Sequence, residues 1–117
     1  MLILILDDSE LMLSLFGMVC TQLGHDPVGC VSVSDLDGVL SGREPEVVLC
    51  DLNMPGTDDP VRDVRARLPD ARIVLISGTP QNELDALAVS RGVHGAISKD
   101  GGLAGVASAL PALLGSV

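Results

Sequence analysis

With 117 residues, 47% of them hydrophobic and 20% charged, the chain is long enough for one domain with its own core, needs no disulfide or metal staple, and is not disordered. Sixteen acidic residues against seven basic ones give a formal charge of -9. That excludes a binder of the nucleic-acid backbone, which needs a basic face, and leaves a basic partner or a bound cation as charge-compatible ligands.

The apolar run at 2–6 predicts a first strand. It is too short for a secretion signal, has no basic flank and runs into acids. A helix is predicted over 10–23, with apolar residues at 12, 15, 16, 19 and 23 and Ser9 as its N-cap. A strand at 27–31 precedes a helix at 33–40 that starts near Ser34 and ends before Gly42. The third strand, 46–50, leads to a helix over 58–67. The fourth, 72–76, leads to a helix over 82–91 that Gly92 ends as its C′ residue. The last pair is a strand at 94–97 and a helix at 103–114, whose pattern Gly105 and Pro111 interrupt. The apolar stretch at 103–117 is shorter than a membrane span.

With one Phe and no Trp or Tyr, the core is expected to be aliphatic. Cys20, Cys30 and Cys50 each lie in an apolar run, at a spacing that fits no zinc pattern. They are expected to be reduced, buried thiols of a cytoplasmic protein.

Strict alternation of strand and helix predicts a single α/β domain over 1–117, a (βα)5 unit with right-handed crossovers. The first, third and fourth strands are nearly continuous apolar runs, as strands covered on both faces are. In a doubly wound sheet, function is expected outside the C-terminal strand ends. The unusual polar residues are placed there: Asp7 and Asp8 after the first strand, Asp51 after the third, Ser77 after the fourth and Lys99 after the fifth. Taken singly, each reads as a cap, a turn or a solvated side chain. Their convergence on one sheet edge is what argues for a site.

Two carboxylates about 4 Å apart repel by about 4 kcal/mol at an effective dielectric near 20, so three need a cation or shifted pKa values. Hard oxygen ligands suit Mg²⁺, which keeps several waters and bridges readily to phosphate. A carboxylate beside it can attack phosphorus, with an ammonium and a hydroxyl to meet the phosphoryl oxygens.

Four segments carry a family resemblance over essentially the whole chain. They are Leu-Asp-Asp-Ser at 6–9, Cys-Asp-Leu-Asn-Met-Pro-Gly at 50–56, Ile-Ser-Gly-Thr at 76–79 and Ser-Lys-Asp at 98–100. In this order on a (βα)5 pattern, the chain resembles the receiver domain of bacterial two-component response regulators. The resemblance implies a flavodoxin-like sheet of order 2-1-3-4-5. It implies Asp51 as phosphoacceptor and Asp8 as direct Mg²⁺ ligand, assisted by Asp7, with the Asn53 carbonyl as a further ligand. It further implies Ser77 and Lys99 as phosphate contacts and Gly78 as a position kept small for the phosphodonor. Pro55 and Gly56 match the tight turn after the acceptor, and Asn53 and Thr79 lie where acyl-phosphate lifetime is tuned. The implied phosphodonor is a histidine kinase or phosphotransfer protein, and no enzymatic turnover is implied beyond self-catalysed phosphorylation and dephosphorylation.

Two departures stand out. Ala96 occupies the place where receivers usually carry Tyr or Phe, and Lys99 is followed by Asp100 where Pro is usual. The second resembles one subfamily of transcriptional regulators. The first implies an altered switch, and it supports an alternative reading as a pseudo-receiver that binds partners without phosphorylation. A phosphatase of the haloacid-dehalogenase type would need Asp-x-Asp where 7–9 read Asp-Asp-Ser, and no Gly-x-Gly-x-x-Gly is present. Output or homodimer contacts in this family often use the face of the fourth helix, fifth strand and fifth helix. Here that face would carry Leu84, Leu87, Val93, Leu103 and Val106, each also a plausible core position. No membrane contact and no direct nucleic-acid contact is expected.

Overall fold

The structure, a computed structural model, describes residues 1–115. Five strands, β1 (Leu2–Leu6), β2 (Asp26–Cys30), β3 (Val47–Asp51), β4 (Arg72–Ser77) and β5 (Gly95–Ser98), form one sheet of order β2-β1-β3-β4-β5. All four strand pairs are parallel, with Leu6 opposite both Cys30 and Cys50, and Asp51 opposite Ile76. The helices are α1 (Glu10–Gln22), α2 (Leu36–Leu40), α3 (Pro60–Arg67), α4 (Gln81–Arg91) and α5 (Gly102–Gly115).

The period-2 alternation of the strands divides the core between the two faces of the sheet. Leu4, Leu6, Val48, Cys50, Leu75 and Ala96 face α2, α3 and α4, where they meet Leu36, Val61, Val64, Leu84 and Ala88. Ile3, Ile5, Leu49, Val74, Ile76 and Ile97 face α1 and α5, where Phe16, Val19, Val106, Leu110 and Leu114 close the other half. The core is aliphatic except for Phe16, which is completely buried.

Several boundaries differ from expectation, each for a local reason. β2 lies one residue earlier, because it pairs from Leu2↔Asp26 to Leu6↔Cys30. The second helix divides into a 3₁₀ turn, Val33–Asp35, and the short α2. Ser32 donates to the Asp35 carboxylate there, so side chains compete with the helical backbone bonds. α3 starts at Pro60, since Asp59 is its N-cap, accepting from Arg62 N–H at 3.1 Å, and proline suits the first helical position. α4 begins one residue earlier than expected, at Gln81, and ends as expected at Gly92, whose φ of 66° places it in the left-handed region.

α5 runs unbroken through Pro111. Its buried residues, Val106, Leu110 and Leu114, recur every four positions and hold the helix against the sheet. The proline lies on the exposed face, as does Ala107, the residue four positions earlier whose helical hydrogen bond it cannot make. Among the described residues no helix is long and apolar enough to cross a membrane.

All three cysteines are free and buried. Burial pushes the Cys20 thiol up to about 11, and burial together with the nearby Asp51 charge pushes Cys50 up to about 12. Cys30 is raised as well, chiefly by burial. The native protein at pH 8 is therefore expected to leave a thiol reagent such as Ellman's unreacted, while the urea-unfolded chain should titrate all three thiols.

Candidate functional site

The order of strands reverses between β1 and β3, and the C-terminal ends of these two neighbours carry the central acids. Asp7 is the first residue beyond β1, tied to β2 by its N–H, which donates to the Cys30 carbonyl at 3.1 Å. Asp51 and Ser77 are the last residues of β3 and β4, one position earlier than expected, and Lys99 directly follows β5 in a 3₁₀ turn.

One local device recurs at four of these strand ends. Asp7 Oδ1 accepts from Ser9 N–H at 2.9 Å, and Asp51 Oδ1 accepts from Asn53 N–H at 3.0 Å. Ser77 Oγ accepts from Thr79 N–H, and Ser98 Oγ from Asp100 N–H, each at 3.2 Å. A short polar side chain bonding two residues on turns the chain sharply out of the strand. At β1 the turn leads straight into α1, where Ser9 is the N-cap as expected, accepting from Met12 N–H at 3.3 Å. The turn-forming and site-forming roles of Asp7 and Asp51 are thus compatible: Oδ1 shapes the loop and Oδ2 meets Lys99.

Asp7, Asp8 and Asp51 each present a carboxylate oxygen within 4.8 Å of the others. Asp7 is fully buried, Asp51 is 4% exposed, and Asp8 is open to solvent. Lys99 Nζ reaches between the two buried acids, 2.9 Å from Asp51 Oδ2 and 2.7 Å from Asp7 Oδ2. The first contact is a hydrogen bond; the second is an ion pair outside hydrogen-bond geometry, which leaves Asp7 Oδ2 buried without one. Burial raises the Asp51 carboxyl above its ordinary value, with Asp7 adding repulsion, and the Asn53 N–H and Lys99 only partly oppose this. Burial works against the Lys99 cation, but its contacts with Asp7 and Asp51 outweigh it and hold the ammonium above its usual range.

One ammonium faces three carboxylates, so the cluster lacks positive charge. A buried oxygen without a hydrogen bond and an all-oxygen donor set fit a hard divalent cation added to that pocket. Ser77 does not join the acids; its Oγ lies 2.9 Å from Thr79 Oγ1, one strand away. Asn53 is exposed beside Asp51, and its side chain takes no part in the contacts around that acid. Gly78 is exposed, and a Cβ there would meet nothing within 4 Å, so packing does not require the glycine. Gly56, in the turn after Asp51, has a φ of 78°, which does require it. A surface concavity of about 480 Å³ lies at the opposite edge of the sheet among Arg65, Arg72 and His94 and holds none of these residues.

Of the expected output face, Leu84 and Val106 are core residues, Leu87 and Val93 are partly buried, and Leu103 is exposed. Gln81 has no sequence signature, yet its side chain reaches the β5 backbone beside Lys99.

This arrangement has relatives. The chain is 31% identical over 117 residues to the transcriptional regulatory protein MctR of Rhizobium johnstonii, covering 97% of this chain and 55% of MctR, so it spans about half of that regulator. The receiver domain of NtrX from Brucella abortus superposes with a TM-score of 0.77 at 21% identity, covering 98% of this chain and 99% of that one. The chemotaxis response regulator CheY4 of Vibrio cholerae gives 0.77 at 15% identity, covering 96% and 97%. The response regulator RcsB of Salmonella typhimurium gives 0.81 at 21% identity, covering 99% of this chain and 60% of RcsB. These structures share the fold, and a family model described as the response regulator receiver domain matches residues 3–110, so the chain belongs to the response regulator receiver family.

Proposed function

We propose that residues 1–117 act as one phosphoacceptor receiver unit, taking a phosphoryl group onto Asp51 from a histidine kinase or phosphotransfer protein. The observation that carries this is Asp51 itself: a nearly buried carboxylate at a strand end, beside two further acids, with Lys99 bonded to one of its oxygens.

In the proposed reaction an Asp51 oxygen attacks phosphorus and the bond from phosphorus to the donor nitrogen breaks. The bonding pair returns to the donor's imidazole, and an acyl phosphate remains on the protein. Asn53 N–H holds Asp51 Oδ1, which orients the carboxylate for that attack. Lys99 is the cation nearest the incoming phosphoryl oxygens, and Ser77 can turn its hydroxyl from Thr79 toward one of them. Asp7, Asp8, Asp51 and the Asn53 carbonyl would hold Mg²⁺, which when bound offsets charge on the transferring group. Gly78 leaves open the approach that a larger residue would narrow.

The site of action on this reading is the cytoplasm, and no nucleic acid contacts this domain directly. One observation favours a second reading, a phosphorylation-independent interaction module: Ala96, buried in the cluster with Leu84 and Ala88, leaves no aromatic to swing between positions. Titration separates the two. Mg²⁺ followed by beryllofluoride, a phosphoryl mimic, should shift amides around Asp51, and Asp8→Ala should weaken Mg²⁺ binding by about tenfold or more, at least the loss that removing a group supporting a metal ligand causes. A wild-type chain that takes up neither ligand would leave the interaction module as the better account.

A further inference from the structure

We infer that Gln81 is the positioning residue that joins the two phosphate-facing arms of the pocket and carries its occupancy to α4 and β5. This rests on the reading of the pocket as a phosphoryl-accepting site.

Gln81 is the first residue of α4, four positions after Ser77. Its side-chain Nε2 donates to the Ala96 carbonyl at 3.0 Å, and its Oε1 accepts from Ser98 N–H at 2.9 Å. These two groups flank Ile97 on β5. Donating to the carbonyl before a residue and accepting from the N–H after it is the pairing that a neighbouring parallel strand makes. β5 is the last strand of the sheet, so the amide stands in for a missing neighbour on its open side. Nε2 also donates to Asp85 Oδ1 at 2.8 Å, one helical turn on, which fixes the orientation of the amide.

The consequences run in two directions. Toward β5, the bond to Ser98 N–H holds the backbone one residue before Lys99, the residue that meets Asp7 and Asp51. Toward β4, only Gly78, Thr79 and Pro80 separate Gln81 from Ser77, whose hydroxyl is engaged with Thr79. When the Ser77 hydroxyl leaves Thr79 for a phosphoryl oxygen, this three-residue loop loses its side-chain tie, and Gln81 is the next residue fixed to β5. An edge cap alone would account for the hydrogen bonds to β5. It would not account for their placement between Ser77 and Lys99, the two residues beside the pocket at the ends of β4 and β5.

The test uses beryllofluoride with Mg²⁺ on the chain and on Gln81→Leu and Gln81→Glu, read by amide shifts and thermal unfolding. Glu keeps size and polarity but loses the donor to Ala96, so it serves if Leu disturbs the fold. In the wild type, binding should shift Asp51 and its neighbours together with Ile97, Ser98 and the first turn of α4. In either variant, the shifts near Asp51 should persist while those on β5 and α4 shrink, and the mimic's affinity should change by at least about fivefold, since coupling between sites is reciprocal. Unchanged affinity and an unchanged response at α4, with only a lower unfolding temperature, would reduce Gln81 to an edge cap and overturn the inference. No binding of the mimic to the wild type would overturn the reading of the pocket itself, and the inference with it.

Discussion

Asp51→Asn is expected to abolish labelling by a small-molecule phosphodonor and to make the protein more stable at neutral pH. Labelling is lost because the amide oxygen of Asn is no nucleophile toward phosphorus, although it can still accept from Asn53 N–H. The gain in stability follows from the direction of the Asp51 shift. Its carboxyl is raised in the folded state, chiefly by burial, above the ordinary value of 3.8. Between those two values the folded chain holds a proton that the unfolded chain has lost. Stability attributable to this group is therefore greatest below 3.8, falls as pH rises to the raised value, and stays lost above it. Asn removes that dependence. Urea midpoints of the two proteins without divalent cations should differ most at pH 7 and converge near pH 4. Mg²⁺ should narrow the gap by favouring the wild type. A variant less stable than wild type at pH 7 would mean that Lys99 more than compensates the burial of this acid.

Lys99→Met is expected to act in the opposite sense and to be costly. Its ammonium is the cation between Asp7 and Asp51, whose side chains are 0% and 5% exposed. Removing it leaves two buried acids facing one another and Asp7 Oδ2 without its ion pair. Taking away one partner of a buried charge pair costs about 3–5 kcal/mol, a large part of the roughly 5–15 kcal/mol that holds a domain of this size. The loss should appear as a much lower urea midpoint at pH 7 without divalent cations. Two separate treatments should restore it: millimolar Mg²⁺, which binds only the folded chain, and mild acid, which protonates the raised Asp51. The wild-type contribution of Lys99 itself should be full up to 10.5, fade as pH rises from there to the raised value of its ammonium, and be gone above it. A variant of unchanged stability would show that water already screens the acids.

The two halves of the site were not equally legible in the sequence. The central strands could be read because strands covered on both faces carry uninterrupted apolar residues, as at 47–50 and 73–76. Once those were placed, strand–helix alternation put Asp7, Asp51, Ser77 and Lys99 at one edge. Edge strand β2, Asp-Pro-Val-Gly-Cys, has no such run, so its register could be fixed only by pairing with β1. α5 held together because burial of Val106, Leu110 and Leu114 outweighs the propensity of Gly105 and Pro111. Gln81 was invisible for another reason. Glutamine in the first turn of a helix is unremarkable, and the backbone groups it meets lie 15 and 17 residues away.

The two outer strands also limit how copies of this domain can associate. On one flank Pro27 has no amide hydrogen to offer an incoming chain. On the other, the Gln81 amide already occupies the Ala96 carbonyl and the Ser98 N–H. Both flanks thus resist the templated strand addition through which exposed sheets join and grow into fibres. A contact that displaced Gln81 would open the β5 flank for strand addition.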